Sequence, residues 1–424
     1  MKFLHSFSLF WLGVAAACAA PKPITIKMAS DAKDGMVRPG AKVSVTATIH
    51  NRGKEAVTGL LDWKLHSVAF EVPAGAATKV TLGAGGKREF RFSFRMKKSG
   101  FADAECRLAT EGGKTYHGRR RTGSDPESIR ILLTREPDFV AFWKRSLAEM
   151  AKVSPDFQVV AVPERNKDGI EVFEVTMRSF GDVTVRGWLE VPTVSGPHPV
   201  VIRVPGYGGN MKPIGKWKDM MVFSFNPRAH GTSQDQVKGK PVDYWVRGLD
   251  DKDTYYYRGA YLDCIRAIDY VASRKDVDSS RIAVWGGSQG GGFAFAMAAL
   301  DARVDACVPD IPFLCDWVNY FKLTHWPEMD KWIAAKPERT WESTLRTLSY
   351  FDTMNLADRT TCPTFMSIGL QDSVCPPTTN FAVFNRLQGK KRYRIYPNSG
   401  HGLGRQHWDV VWEWIRKEFD LSQD

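Results

Sequence analysis

Arg281-Ile282-Ala283-Val284-Trp285-Gly286-Gly287-Ser288-Gln289-Gly290-Gly291-Gly292, followed by Phe293-Ala294-Phe295-Ala296-Met297-Ala298-Ala299-Leu300, is the stretch on which the reading of this 424-residue chain turns. Its first five residues read as a short, largely apolar strand, and the run from Phe293 is Ala-rich and helix-forming. Between them sits Gly-x-Ser-x-Gly, a turn so sharp that the residues beside the serine must be nearly free of side chain. Gly-Ser-Gly sequences are also common linkers, but linkers are not bracketed by a strand and a helix. The segment therefore reads as a nucleophile elbow, with a strained Ser288 backbone that points Oγ into a cleft. It sets the reaction class to be tested: acyl transfer from serine, with water as the final acceptor.

A serine hydroxyl is a poor nucleophile at neutral pH. It needs a general base within hydrogen-bond reach, and the base needs an orienting carboxylate. In α/β-hydrolases the three follow in the order Ser, Asp or Glu, His. Pro363 to Leu370 reads as a strand with Asp372 at its C-terminal tip. Arg392 to Tyr396 reads as the next, followed by the loop Pro397-Asn398-Ser399-Gly400-His401-Gly402. Of nine histidines, His401 alone lies on a loop after a strand and after the serine; a plain surface-loop histidine is the alternative. For the carboxylate, Asp310 and Asp316 are the nearest rivals of Asp372, and a turn-forming role for Asp372 is compatible with catalysis. The oxyanion needs two backbone N–H groups. Gln289, following the nucleophile, supplies one. Tyr207, in Pro205-Gly206-Tyr207-Gly208-Gly209 after the strand Val200 to Val204, supplies the other, unless that segment is a simple glycine turn.

The composition is ordinary for a globular protein, 43% hydrophobic and 25% charged, with a net charge of +12. The basic residues are scattered apart from clusters such as Arg119-Arg120-Arg121, and nothing resembles a nucleic-acid module. Lys2, the apolar run Phe7 to Ala20 and its small-residue end read as a cleaved signal peptide over 1–20, which predicts a secreted or periplasmic protein. Ala15 three residues before Cys18 disfavours lipoprotein anchoring there. No later stretch is long and apolar enough to span a bilayer. Seven cysteines occur, at 18, 106, 264, 307, 315, 362 and 375. Cys264 and Cys307 lie in apolar contexts and read as buried thiols. Cys362 and Cys375 flank the Asp372 loop, and the sequence leaves open whether they pair. No Cys/His spacing resembles a zinc site, and no cofactor is implied.

Residues 21–122 differ from the rest. Lys42 to His50 and Lys87 to Arg95 alternate apolar and polar residues; Leu60 to Leu65 and Val68 to Val72 repeat the pattern. Short strands joined by Gly, Asn and Pro turns predict a small all-β, immunoglobulin-like sandwich. Residues 123–136 read as a linker. From 137 to 424 helical and strand patterns alternate, which predicts a doubly wound, mostly parallel α/β sheet. Its first helix falls at Pro137 to Met150, its early strands at Ile170–Ser179, Val183–Val191 and Pro199–Val204, and its closing helix at Trp408 to Phe419. Trp217, Trp245, Tyr255 and Trp326 are candidates for stacking on a sugar ring or, equally, for the core.

The second unit resembles the acetyl xylan esterase/cephalosporin-C deacetylase family, carbohydrate esterase family seven. The matching stretches include Gly206-Tyr207-Gly208-Gly209, Tyr255-Tyr256-Tyr257-Arg258-Gly259, Gly287-Ser288-Gln289-Gly290-Gly291 and Asp372-Ser373-Val374-Cys375-Pro376-Pro377. The resemblance implies hydrolysis of acetyl esters on mono-, oligo- or polysaccharides by Ser288, Asp372 and His401. It also implies an oxyanion hole at Tyr207 and Gln289, no metal or organic cofactor, and a possible homo-oligomer. Two positions depart from the family pattern: His230 stands where a glutamine is usual, and Gly402 where a glutamate follows the histidine. The competing functions are an α/β-hydrolase for another acyl substrate, such as a peptide or lactone, and a non-catalytic glycan-binding protein on the same scaffold.

Overall fold

The computed structural model describes residues 23–67, 77–236 and 243–421. The expected signal segment with Cys18, and the alternating stretch Val68 to Val72, lie outside the described residues.

Among the described residues, the first unit is a sandwich of eight strands: β1 (Ile24–Ser30), β2 (Met36–Val37), β3 (Lys42–Asn51), β4 (Val57–His66), β5 (Thr78–Leu82), β6 (Lys87–Arg95), β7 (Gly100–Thr110) and β8 (Thr115–Ser124). They form one sheet in the order β1-β3-β6 and another in the order β2-β8-β7-β4-β5. The period-two pattern explains the burial. Val43, Val45, Ala47 and Ile49 of β3 face inward and are fully buried, while the alternate residues face solvent. Trp63, Leu61, Val80, Leu82 and Leu108 close the core from the opposite sheet.

After β8 the chain does not hang free. Asn385 donates to the Pro126 and Ile129 carbonyls, Thr134 N–H donates to the Asn355 side chain, and Ile129 is buried against the second unit. That unit contains helices α1 (Phe139–Ala151), α2 (Tyr256–Ala272), α3 (Gln289–Leu300), α4 (Trp317–Leu323), α5 (Pro327–Ala334), α6 (Trp341–Ser349), α7 (Thr353–Leu356), α8 (Pro377–Phe384) and α9 (Gln406–Glu418). Its strands are β9 (Gln158–Ala161), β10 (Ile170–Ser179), β11 (Val183–Pro192), β12 (His198–Val204), β13 (Met221–Asn226), β14 (Val277–Gly287), β15 (Ala306–Asp310), β16 (Thr364–Gly369) and β17 (Lys391–Tyr396). They build one sheet in the order β17-β16-β15-β14-β12-β13-β11-β10-β9. The six strands from β17 to β13 pair in parallel; β11, β10 and β9 extend the sheet antiparallel.

Apolar clusters cover both faces of this sheet, one formed with α1, α2 and α3, the other with α9. Helix α3 is buried from Gln289 to Ala299, so its Ala-rich sequence is apolar all round rather than on one stripe. This is the doubly wound α/β fold preceded by a β-sandwich that the sequence predicts. The parallel strands β12, β14, β15, β16 and β17 end at one edge, where open α/β sheets bind ligands.

Candidate active site

Strand β14 runs into α3 through Ser288, whose backbone lies at φ 59 and ψ −121, a conformation that side chains rarely tolerate. The turn is held by close backbone approach. A Cβ on Gly286 would lie 2.5 Å from the Gly290 carbonyl carbon, and one on Gly290 would lie 2.5 Å from the Val204 carbonyl oxygen. Ser288 N–H donates to the Asp310 carbonyl at 2.9 Å, and its own carbonyl accepts from Phe313 N–H at 2.9 Å.

The next loops bring in the other two residues. His401 Nε2 lies 3.0 Å from Ser288 Oγ, and His401 Nδ1 lies 2.8 Å from Asp372 Oδ2. The other carboxylate oxygen, Oδ1, accepts from Val374 N–H at 2.7 Å and Cys375 N–H at 2.9 Å. Asp372 is wholly buried, whereas the His401 ring keeps a quarter of its surface in solvent. The rival carboxylates are engaged elsewhere. Asp310 approaches His407 at 2.8 Å and accepts from Trp285 Nε1 at 2.8 Å; Asp316 caps α4.

The loop after β12 also reaches Ser288, since a Cβ on Gly206 would lie 3.8 Å from Ser288 Cβ. Tyr207 follows on that loop, half-buried, its ring 5.1 Å from Tyr244. Gln289 is the first residue of α3, so its N–H has no acceptor within the helix.

Beneath the elbow lies a buried network that sequence reasoning did not assemble. Tyr257 OH donates to Gln289 Oε1 at 2.7 Å, and the Gln289 amide donates to His230 Nε2 at 2.8 Å. The proton of neutral His230 then sits on Nδ1, directed at the Arg228 carbonyl 3.1 Å away. Burial pulls the His230 imidazole down to about 4, which keeps it neutral. Arg228 makes a forked, buried pair with Asp263, at 2.7 and 2.8 Å, and Ser179 donates to the same carboxylate. Gly259 leaves room for that guanidinium, because a Cβ there would lie 2.1 Å from Arg228 Nη1. The signal was present in the triple tyrosine and its Arg-Gly tail, but which hydroxyl meets which amide depends on the fold. At the other departure, Gly402, nothing stands within 4 Å of where a Cβ would point.

Cys375 completes the surroundings. All six described cysteines are free thiols, so Cys362 and Cys375 do not pair. Burial and the neighbouring Asp372 push the Cys375 thiol well up, so it is a protonated, weakly polar neighbour. Ligating atoms of Asp372, Cys375 and His401 fall within 4.8 Å of one another. Both Asp372 oxygens and both His401 nitrogens are, however, already engaged in the contacts above, which is the geometry of proton transfer. Among the aromatic candidates, Trp217 and Tyr255 are core; Trp217 stacks on Trp412 at 3.8 Å, behind the sheet. Trp326 is half-exposed, packs on buried Trp245, and donates to Tyr320 OH at 2.9 Å; Tyr320 in turn donates to the Val374 carbonyl of the acid loop. Among the described residues, no helix is long and apolar enough to cross a membrane.

A serine on a strained strand-to-helix elbow, beside a histidine and an aspartate from later strand tips, defines an α/β-hydrolase. The acetyl xylan esterase (AXE1) family matches residues 129–418, and the chain belongs to it. It is 32% identical over 378 residues to acetyl esterase Axe7A of Xylanibacter ruminicola, covering 83% of this chain and 82% of that one. Among solved structures it is similar to the acetyl xylan esterase from Paenibacillus sp. R4, at 35% identity and a TM-score of 0.64. It also resembles acetyl xylan esterase 1 from Thermoanaerobacterium sp. JW/SL YS485, at 28% identity and a TM-score of 0.63. Each of these covers 69% of this chain and 98% of its own. The protein is thus an esterase of the α/β-hydrolase class. The family match begins after the sandwich, whereas the Axe7A match is too long to fit within 129–418 and reaches into it.

Proposed function

We propose that the protein removes acetyl groups from acetylated sugars or polysaccharides through a Ser288–His401–Asp372 triad and an acetyl-enzyme. The observation that carries this reading is the unbroken relay of 3.0 and 2.8 Å from Ser288 Oγ through the His401 ring to Asp372. His401 takes the hydroxyl proton as Ser288 attacks the acetyl carbonyl. The N–H groups of Gln289 and Tyr207 hold the oxyanion; loss of one such donor would lower the rate on the order of 10²–10³-fold. His401 returns the proton to the departing sugar oxygen, then activates water to hydrolyse the acetyl-enzyme. Half-exposed Trp326, tied through Tyr320 to the acid loop, offers a face on which a sugar ring stacks. The names of the relatives support the choice of acetyl esters.

The test is acetate release from p-nitrophenyl acetate and acetylated xylan by wild type and Ser288→Ala. Equal rates overturn the mechanism; activity on the first substrate alone overturns the glycan assignment. Export belongs to the same reading: residues 1–20 act as a cleaved leader, which N-terminal sequencing of the extracellular or periplasmic protein checks. Homo-oligomerisation is read from the mass in solution.

A further inference from the structure

The end of β8 nearest the second unit does something the rest of the sandwich does not. Arg121, only 2% exposed, makes a forked pair with Asp103 of β7, with both bonds at 2.8 Å. The same guanidinium donates to the carbonyl of Asp372 and reaches the carbonyl of Leu370 at 3.5 Å. Its backbone is gripped as well. Arg121 N–H donates to Gln371 Oε1 at 2.8 Å, and Gln371 Nε2 donates to the carbonyls of Arg121 and Pro397, at 3.1 and 3.0 Å. One residue earlier, Arg120 donates to Asn398 Oδ1 at 2.9 Å. Gly35, in the turn before β2, lies against the same strand tip: a Cβ there would lie 2.1 Å from Leu370 Cδ2. Phe101 of β7 packs at a tilt against Phe381 of α8, with centroids 5.8 Å apart, and belongs to the core of the second unit rather than to that of the sandwich.

Leu370 to Asp372 is the loop that carries the triad carboxylate, and Pro397 to His401 carries the imidazole. Two arginines at one strand end therefore hold both loops, and Gln371 ties one to the other. We propose that the sandwich is a positioning element of the active site. Its Asp103–Arg121 pair, with Gln371, fixes the Asp372 backbone so that the carboxylate and the His401 ring stay aligned on Ser288. This rests on the triad reading above. Arg121 touches no reacting atom; it acts through Asp372. The Arg121 fork is locked on Asp103 through Nε and Nη2, which aims the remaining nitrogen, Nη1, at the carbonyls of Leu370 and Asp372; such charge-assisted bonds set the position of a loop better than neutral contacts do. Misplacing a reacting group by about 1 Å costs on the order of 10²-fold in rate.

The experiment compares Arg121→Lys, Gln371→Ala, Leu108→Ala and Ser288→Ala in the full-length enzyme, below the unfolding midpoint of each. Lysine keeps a charge for Asp103 but lacks the third nitrogen that reaches the two carbonyls. Leu108→Ala opens a void in the sandwich core at the far end of β7 and touches neither loop. The expected result is a kcat loss of roughly 10- to 100-fold in Arg121→Lys and Gln371→Ala. KM should stay within about twofold, since the lost interaction acts on the transition state. Leu108→Ala should lower Tm while keeping kcat. Folded Arg121→Lys and Gln371→Ala enzymes with wild-type kcat overturn the proposal; so does an equal kcat loss in Leu108→Ala, which assigns the effect to general sandwich stability. If Arg121→Lys fails to fold, Gln371→Ala decides. An active Ser288→Ala overturns the triad itself, a separate failure.

Discussion

The sandwich and the catalytic unit handle charge in opposite ways. Residues 21–122 hold 20 lysines and arginines against nine aspartates and glutamates, while residues 123–424 hold 38 of each. In the catalytic unit, key charges are buried and paired: Arg228 with Asp263 behind the elbow, and Asp372 with His401 at its mouth. On the sandwich, Lys27, Lys42, Lys87, Arg91 and Arg95 stand on the solvent face of the β1-β3-β6 sheet, and none forms an ion pair with a described carboxylate. The difference separates charges that fix geometry from charges that shape an outer field. The Asp103–Arg121 pair is the exception, a catalytic-unit style of pair placed in the sandwich, where the two units meet.

Removing the proposed nucleophile should give the largest effect and define one pole of the comparison. Ser288→Ala should lower kcat by roughly 10⁴–10⁶-fold with little change in Tm, since the triad acts as a unit. Loss of fluorophosphonate labelling, followed by mass spectrometry of the intact chain, checks it independently of substrate choice.

The next effect is thermodynamic and sets equal chemistries against each other. Arg228–Asp263 and Arg107–Asp62 are both forked Arg–Asp pairs, with bonds of 2.7–2.8 and 2.9 Å. In the first, Asp263 is fully buried, so Arg228→Ala leaves an uncompensated charge and should cost about 3–5 kcal/mol. In the second, the Arg107 side chain is 39% exposed, and Arg107→Ala should leave the urea midpoint close to wild type. Equal midpoint shifts in the two variants would break the comparison.

His230 gives a smaller effect with a defined sign. Its folded-state value lies near 4, below the ordinary histidine range. As pH falls below about 6.5, the unfolded chain takes up a proton that the folded one refuses, so stability is lost until about pH 4. The full loss from this one group is about 3 kcal/mol at most, from 1.36 kcal/mol per pKa unit. Glutamine retains an acceptor for the Gln289 amide and a donor for the Arg228 carbonyl but does not titrate. His230→Gln should therefore flatten the dependence of Tm on pH between about 6.5 and 4. An unchanged slope would mean that His230 accepts its proton in the folded state.

These cases also show what was legible in the sequence. The elbow was readable because its glycines are dictated by backbone contact, whatever surrounds them. The strands β3, β6, β10, β11 and β12 were readable because burial of one or both faces writes itself into the order of side chains. Asp372 and His401 were singled out by chain order and strand tips, which are local signals, and the fold brings both to Ser288. The His230–Gln289–Tyr257 chain was not found, because it joins three segments far apart in the chain, and no local pattern encodes which polar groups meet. Nor was the grip of Arg121 on the acid loop. Arg119-Arg120-Arg121 looks like a surface charge cluster until the fold shows that Arg121, nearest the second unit, is buried in the junction, while Arg119, two residues earlier on the same face of the strand, stays exposed.

The smallest expected effect concerns that outer field. Lys42 stands directly opposite Arg95 across the β3–β6 ladder, His50 opposite Lys87, and Lys27 opposite Thr48 on the adjoining strand. Strands about 4.8 Å apart keep such neighbours within one Debye length, roughly 10 Å at 0.1 M salt, so their potentials add. Exposed cations of the catalytic unit, such as Lys152, Lys275 and Lys390, lie in separate connections after α1, after α2 and before β17, in a unit whose charges balance. Two triple variants separate patch from total charge: Lys27→Gln with Lys42→Gln and Arg91→Gln, and Lys152→Gln with Lys275→Gln and Lys390→Gln. Both remove three positive charges. If total charge alone governs adsorption, both elute from a cation exchanger at the same salt concentration. The sandwich face predicts that the first elutes earlier, by tens of millimolar salt on the order expected when several counterions are displaced together. The kcat of both should stay at the wild-type value, because neither set touches Arg121, Gln371 or the loops they hold.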